Sequence, residues 1–295
     1  MSDAQIIGFG DYAAQGKRLA AALGVPYAEA AIHIFPDGER KLRLPTPLAA
    51  HVIFCRSLND PDHKLIELLL AAGSARDNGA RRLTLVTPYL AYMRQDIAFH
   101  PGEAVSQRII GKLLAQAFDA VITVDAHLHR IDHLAQAIPL AHAINLSATG
   151  AMGDFIAHEC PDALLLGPDG ESEQWVAAVA AAAGGLDYGV ATKTRRGDRD
   201  VSIDMPGIDF HGRRVVLVDD VASTGRTLAL AAHQARAAGA SSAHCLVTHG
   251  LFVGDALAAL KDAGVDKVWS TDSVTHPSNR IELAGLLAGA VRGIY

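Results

Sequence analysis

Apolar residues in this chain fall into short unbroken runs, separated by longer segments in which Ala and Leu recur every three or four positions. The runs predict strands at 51–56, 82–89, 120–126, 163–168, 188–194, 213–219, 243–249 and 267–272. The periodic segments predict helices at 12–23, 64–78, 104–117, 147–159, 172–184, 226–238, 254–263 and 281–289. Runs such as Val215-Val216-Leu217-Val218 show no polar alternation, so these strands are expected to be buried on both faces of a parallel sheet. Alternating strands and helices then mean an α/β fold with right-handed crossovers.

Two stretches recur. GARRLTLVT (79–87) is echoed by GASSAHCLVT (239–248), and FDAVITVDA (118–126) by VDKVWSTDS (265–273). With 295 residues, enough for two cores of ~150 each, the echo predicts two domains of one fold, 1–145 and 146–295, the last residues free to pack on the first domain.

Composition narrows the function. A net charge of −6 argues against a nucleic-acid binder with a broad basic face, though not against a local basic pocket. No apolar run reaches the roughly 18 residues of a membrane span, and the start, MSDAQIIGFGDY, lacks the basic and apolar regions of a signal peptide. Three cysteines without C-x-x-C spacing read as reduced, mostly buried thiols. The expectation is a soluble, cytoplasmic protein with no nucleic-acid or membrane partner.

The densest chemistry lies at 215–235, VVLVDDVASTGRTLALAAHQA. An apolar strand ends in two carboxylates, Asp219 and Asp220, and the loop Ser223-Thr224-Gly225-Arg226-Thr227 opens a helix. Unpaired N–H groups and the positive dipole end there suit a phosphate, and Gly225 permits close backbone approach. Ser223, Thr224 and Thr227 add hydroxyl donors. The carboxylates would repel that phosphate unless they bind ribose hydroxyls or Mg²⁺. The plainer alternative is a strand-turn-helix with a hydroxyl cap. The Walker pattern GxxxxGK[ST] is absent. The stretch resembles the PRPP-binding loop of type I phosphoribosyltransferases, in which the acidic pair holds the ribose 2- and 3-hydroxyls and the loop holds the 5-phosphate. Arg226 stands where that family often has a second Gly, and Ser223 where an acid is common.

Further segments resemble the ribose-phosphate pyrophosphokinase (PRPP synthetase) family. Phe35-Pro36-Asp37-Gly38-Glu39-Arg40 is similar to its F-x-D-G-E loop, which reaches the ATP adenine from a neighbouring subunit. Tyr92-Met93-Arg94-Gln95-Asp96 resembles Y-x-R-Q-D, whose Arg and Gln meet the nucleotide. Asp125-Ala126-His127 matches D-L-H, whose histidine helps to hold Mg²⁺, and Gly167-Pro168-Asp169 a turn whose aspartate lies near metal and ribose. Lys193-Thr194-Arg195 resembles the K-T-R catalytic loop, and 247–252 a V-T-H-G-L-F segment of the second domain. The resemblance implies two phosphoribosyltransferase-like domains, each a mostly parallel sheet flanked by helices. It also implies a Mg²⁺-dependent homo-oligomer that transfers the diphosphoryl group of ATP to ribose 5-phosphate.

In that reading Phe35, Asp37, Glu39, Arg94 and Gln95 bind ATP, Asp219, Asp220, Ser223, Thr224, Gly225, Arg226 and Thr227 bind ribose 5-phosphate, His127 and Asp169 serve the metal, and Lys193 and Arg195 are catalytic. Each piece has a blander reading. Asp37-Gly38 is a common turn, Arg94 and Asp96 could form a solvated pair, and His127, His129 and His133 tempt a zinc reading. The run Lys193, Arg195, Arg196, Arg199 with Asp198 and Asp200 could be an exposed charged loop. After Asp96 the basic run D-R-x-x-R-x-P of phosphate-activated members is missing, which together with K-T-R resembles an archaeal-type branch. A PRPP-consuming transferase, a different pentose phosphate and a non-catalytic regulatory homologue remain as alternatives.

Overall fold

The computed structural model describes residues 3–195 and 201–294, and its contacts divide them into two compact units. Unit 1 comprises residues up to Leu146 together with Ser273–Thr275 and the segment from Ala284, and unit 2 comprises Ser147–Asp272 and His276–Leu283.

In unit 1 the order is β1 (Ala4–Gly8), α1 (Ala13–Leu23), β2 (Tyr27–Glu29), β3 (Ala31–Ile34), β4 (Arg40–Arg43), β5 (His51–Cys55), α2 (Pro61–Asp77), β6 (Arg82–Val86), α3 (Ser106–Ala117), β7 (Ala120–Val124) and β8 (Ala143–Leu146). Unit 2 follows with α4 (Thr149–Glu159), β9 (Leu164–Gly167), α5 (Glu173–Ala182), β10 (Tyr188–Val190), β11 (Thr192–Arg195), β12 (Val201–Asp204), β13 (Arg214–Ala222), α6 (Arg226–Ala237), β14 (Ser242–Gly250), α7 (Ala256–Asp262), β15 (Lys267–Thr271) and β16 (Asn279–Ile281). The final helix, α8 (Ala284–Gly293), belongs to unit 1.

Each unit is built on a six-stranded, wholly parallel sheet, in the orders β2-β1-β5-β6-β7-β8 and β10-β9-β13-β14-β15-β16. The two orders are the same path through the same topology. In both, the chain inserts a two-stranded antiparallel ribbon between the edge strand and the third strand formed: β3-β4 in unit 1, β11-β12 in unit 2. The repeated sequence pieces fall on equivalent strands, β6 with β14 and β7 with β15.

Burial explains the central strands. Every residue of β5 and β7 is buried, and so is every residue of β9. Each such Val, Ile or Leu contributes about 1.5–3 kcal/mol when fully removed from water. Val52, Phe54, Leu83 and Leu85 meet Leu68 of α2 and Leu114 of α3 in the unit 1 core. Leu166, Val215, Leu217 and Val247 meet Leu228 of α6 in the other.

One predicted strand is corrected. The run 188–194 is two strands in different sheets: β10 pairs with β9, the Ala191 amide donates to the Gly167 carbonyl at 2.9 Å, and the chain then leaves to form β11. Its polar continuation, Thr192-Lys193-Thr194-Arg195, does not suit a sheet interior. All three cysteines are buried and form no disulfide. Among the described residues, no helix is long and apolar enough to cross a membrane.

Candidate active site

In unit 2 the chemistry gathers at the carboxyl ends of parallel strands, where an open α/β sheet leaves a crevice. β13 runs to Ala222, carrying Asp219 and buried Asp220 near its end. Asp219 accepts a hydrogen bond from the Asp220 amide at 3.0 Å. Its carboxyl is held well above the ordinary range, first by burial and then by the charges of Asp220 and Asp169. These three carboxylates therefore share one electrostatic site.

The loop 223–225 then opens α6. Gly225 sits at the helix start with φ 68°, the left-handed region, and no side chain caps the helix. A Cβ there would make only ordinary contacts, 3.5 Å from Ala256 and Leu260, so the backbone conformation is what asks for glycine. An uncapped helix start keeps its first N–H groups for an outside acceptor. The V-T-H-G-L-F segment braces this loop. The amides of Leu251 and Phe252 donate to the Ala222 carbonyl, and that of Val253 donates to Ser223, all at 2.9–3.0 Å. A Cβ on Gly250 would lie 2.6 Å from the Phe252 ring, so a larger residue there would have to displace that ring.

Asp169 lies on a 3₁₀ turn after β9, where its side chain accepts from the Glu171 amide at 3.2 Å. Lys193 and Arg195 stand two positions apart on β11, opposite Ile203 and Val201 of β12. Arg196, Asp198, Arg199 and Asp200 lie outside the described residues.

In unit 1, Phe35, Asp37 and Glu39 occupy the turn of the β3-β4 ribbon, all exposed. The turn is closed by Phe35 and Glu39 backbone pairing at 2.9 Å and by Gly38 at φ 92°. The Phe35 ring meets His33 edge-on at 4.9 Å and has Lys41 over it at 6.0 Å. Arg94 is exposed, whereas Gln95 donates to the Ile97 carbonyl at 2.9 Å. Asp96 does not pair with Arg94. Its nearly buried carboxylate takes both contacts of Arg130, at 2.7 and 2.9 Å, which holds it below its ordinary range despite the opposing effect of burial. That pair joins the Arg94–Asp96 segment to the loop of His127, whose ring packs on His129 at 3.9 Å. Among the described residues, no hydrogen bond or ion pair joins the Phe35–Glu39 turn to Arg94 or Gln95, and no three His, Cys, Asp or Glu side chains converge to hold a metal. The zinc reading thus lacks a ligand set among them.

Sequence reasoning missed Asp96–Arg130 and the positive φ of Tyr92 (64°), Asp125 (40°) and Phe252 (40°), which mark three of the motif loops. It also missed what the repeat does to the site. Cys55 faces Val86 as Asp219 faces Val247, and the Leu-Val-Thr pieces 85–87 and 246–248 fix the correspondence. Phe9 and Asp169 likewise each precede a 3₁₀ turn. Unit 1 thus carries Phe9, Cys55 and Arg56 where unit 2 carries Asp169, Asp219 and Asp220. Among the described residues, the carboxylate site exists once.

Comparison with known proteins follows the same division. A family model described as the N-terminal domain of ribose phosphate pyrophosphokinase matches residues 5–117, and a phosphoribosyl transferase domain model matches 142–279. The chain is 35% identical to the ribose-phosphate pyrophosphokinase of Methanopyrus kandleri, over 95% of each protein. It is 31% identical to that of Thermococcus kodakarensis, over 88% of this chain and 91% of the relative. A crystal structure of phosphoribosylpyrophosphate synthetase from Mycobacterium smegmatis shares the fold, with a TM-score of 0.83, 22% identity and coverage of 99% and 98% of the two chains. With this likeness along nearly its whole length, the chain belongs to the ribose-phosphate pyrophosphokinase family.

Proposed function

We propose that this protein makes PRPP and AMP from ribose 5-phosphate and ATP. The observation that carries the proposal is the single unit 2 site, where crowded Asp169, Asp219 and Asp220 adjoin the uncapped start of α6. An acidic patch for sugar hydroxyls beside an amide cradle for a phosphate suits a sugar phosphate. In this scheme Asp219 and Asp220 orient the ribose and the 223–227 loop takes its 5-phosphate. The anomeric oxygen attacks the β-phosphorus, the bond from that phosphorus to the α-bridging oxygen breaks, AMP leaves with that oxygen and its electron pair, and the sugar hydroxyl releases its proton to solvent. Lys193 and Arg195 close over the migrating group, and Phe35, Asp37, Glu39, Arg94 and Gln95 position ATP.

Mg²⁺ fits this donor set. It is bound by few carboxylates together with substrate phosphates rather than by a protein cage, and mutually repelling acids such as Asp169 and Asp219 gain from a cation. We assign His127 and Asp169 to it. When bound, it neutralises charge developing on the transferred phosphates. We place the protein in the cytoplasm.

Incubation with ATP, Mg²⁺ and ribose 5-phosphate should yield AMP, read by anion-exchange chromatography. ADP alone would mean an ordinary kinase and would overturn the scheme.

We further propose that the active form is a homo-oligomer in which the exposed Phe35–Glu39 turn completes a neighbour's nucleotide site. Among the described residues, Phe35 has His33 and Lys41 as its aromatic and cationic neighbours, which leaves a face for a partner. Mixing an inactive Phe35→Ala/Asp37→Ala variant with inactive Lys193→Ala, under verified subunit exchange, should restore part of the activity. Zero activity would mean that each subunit builds its own site.

A further inference from the structure

Five charged side chains that the scheme leaves unused meet at the end of β5. Arg56, only 4% exposed, contacts Asp11 at 3.1 Å and Glu67 at 2.5 Å, and Glu67 is 2% exposed. Lys64 reaches Asp11 at 2.8 Å and donates to the Ser57 carbonyl at 3.0 Å and to Asn59 at 2.9 Å. The second oxygen of Glu67 lies 3.6 Å from Nε of Arg40, the residue that opens β4 directly after the Phe35–Glu39 turn. Arg56 also stacks over Phe9, 4.4 Å from its ring centre.

Stability alone is a poor reason to keep such a network. Apolar side chains of similar volume usually fill such a space with no loss, because burying charges costs as much as their attraction returns. Position offers a better one. Arg56 stands where unit 2 places Asp220, so unit 1 has turned its copy of the ligand site into an internal junction. Glu67 is the hinge of that junction, with one oxygen on the sheet through Arg56 and the other on the ribbon through Arg40.

The ribbon needs such a tie. β3 and β4 pair only with each other, and an isolated two-stranded hairpin is marginal in water. Ile32 and Leu42 pack one part of it on the core, but Ile34, Phe35 and the turn beyond them are exposed. Arg40 is the ribbon's charged anchor at the end nearest the turn.

We infer that Glu67 is a positioning residue for the nucleotide: through Arg40 it fixes the base of the Phe35–Glu39 turn, so that the turn meets ATP in one orientation. Glu67 acts only through Arg40, and the inference rests on the nucleotide role proposed above for that turn.

The test measures KM for ATP, KM for ribose 5-phosphate, kcat and Tm on full-length variants. Glu67→Gln should raise KM for ATP about tenfold, the effect of losing a charged contact, while KM for ribose 5-phosphate stays within about twofold. Arg40→Gln should do the same, and the double variant should be no worse than either single one, because both break one path. Glu67→Asp, which keeps the charge, should recover part of the loss. A lower Tm with both KM values unchanged would reduce Glu67 to a packing role, and a rise in both alike would mean general loosening; either overturns the inference. Phe35→Ala separates the two claims. If it leaves KM for ATP unchanged, the nucleotide role of the turn has failed and the inference falls with it. If it raises KM for ATP while Glu67→Gln does not, the inference alone fails. Should Glu67→Gln not fold, Arg40→Gln decides, and an unchanged KM for ATP there overturns the inference.

Discussion

Alanine at Lys193 or at Arg195 is expected to lower kcat by about 10²-fold or more while both substrate affinities stay within about twofold. The reasoning starts from where charge develops. Diphosphoryl transfer spreads negative charge over the migrating group and the departing oxygen, and a cation that meets this charge only in the transition state changes kcat without changing ground-state binding. The two residues sit on β11, in a ribbon outside the main sheet of unit 2. The ribbon is a separate two-stranded sheet, tied to the unit 2 core through buried Ile203 of β12. Single-turnover kinetics with equilibrium ATP binding check the claim. A variant that keeps kcat but binds ATP poorly would move these residues to the resting nucleotide site.

Asp220→Asn is expected to weaken ribose 5-phosphate binding by roughly 10- to 100-fold, the cost of losing a charged hydrogen-bond partner, with ATP affinity nearly unchanged. Titration calorimetry of each substrate separately reads this directly. Collapse of ATP binding instead would refute the division into sugar and nucleotide residues. The same substitution should raise the Tm of the ligand-free protein at neutral pH. Asp219 holds its proton to a higher pH when folded than when unfolded, through burial first and then the charges of Asp220 and Asp169. In the window from the ordinary carboxylate value up to that raised one, the folded state binds more protons, so stability falls as pH rises. Removing the Asp220 charge relieves part of that loss, while burial remains. Lower affinity with higher stability would mark the site as strained for its ligand.

What was legible in the sequence is what is local in it. Strands buried on both faces announce themselves as unbroken apolar runs, and β5, β7 and β9 lie where such runs lie. Ribbon strands do so less clearly: β4 reads Arg-Lys-Leu-Arg, the apolar stretch of β3 is broken by His33, and neither strand is buried. The strand run at 188–194 failed for a related reason, because the chain passes from β10 to β11 with no Gly or Pro at Ala191 to signal a change of sheet. The candidate site divides the same way. Asp219, Asp220 and the 223–227 loop are contiguous, so their chemistry could be read as a unit. The Asp96–Arg130 pair spans 34 residues and the Arg40–Glu67 contact joins a ribbon to a helix, and nothing in either segment names its partner. The replacement of Asp169, Asp219 and Asp220 by Phe9, Cys55 and Arg56 became visible only when strand register aligned the halves.

The return of α8 to unit 1 bears on how the chain is made. Leu287, Ala288 and Val291 of this helix are buried, α8 packs against α1, and Arg82 donates to the Ile294 carbonyl at 2.9 Å. A ribosome delivers these residues after the whole of unit 2. Unit 2 is complete once Leu283 is made, whereas unit 1, begun first, keeps part of its apolar surface uncovered until α8 follows. The usual N-to-C order of domain completion is thereby reversed. The face of unit 1 that α8 covers therefore stays open throughout the synthesis of unit 2.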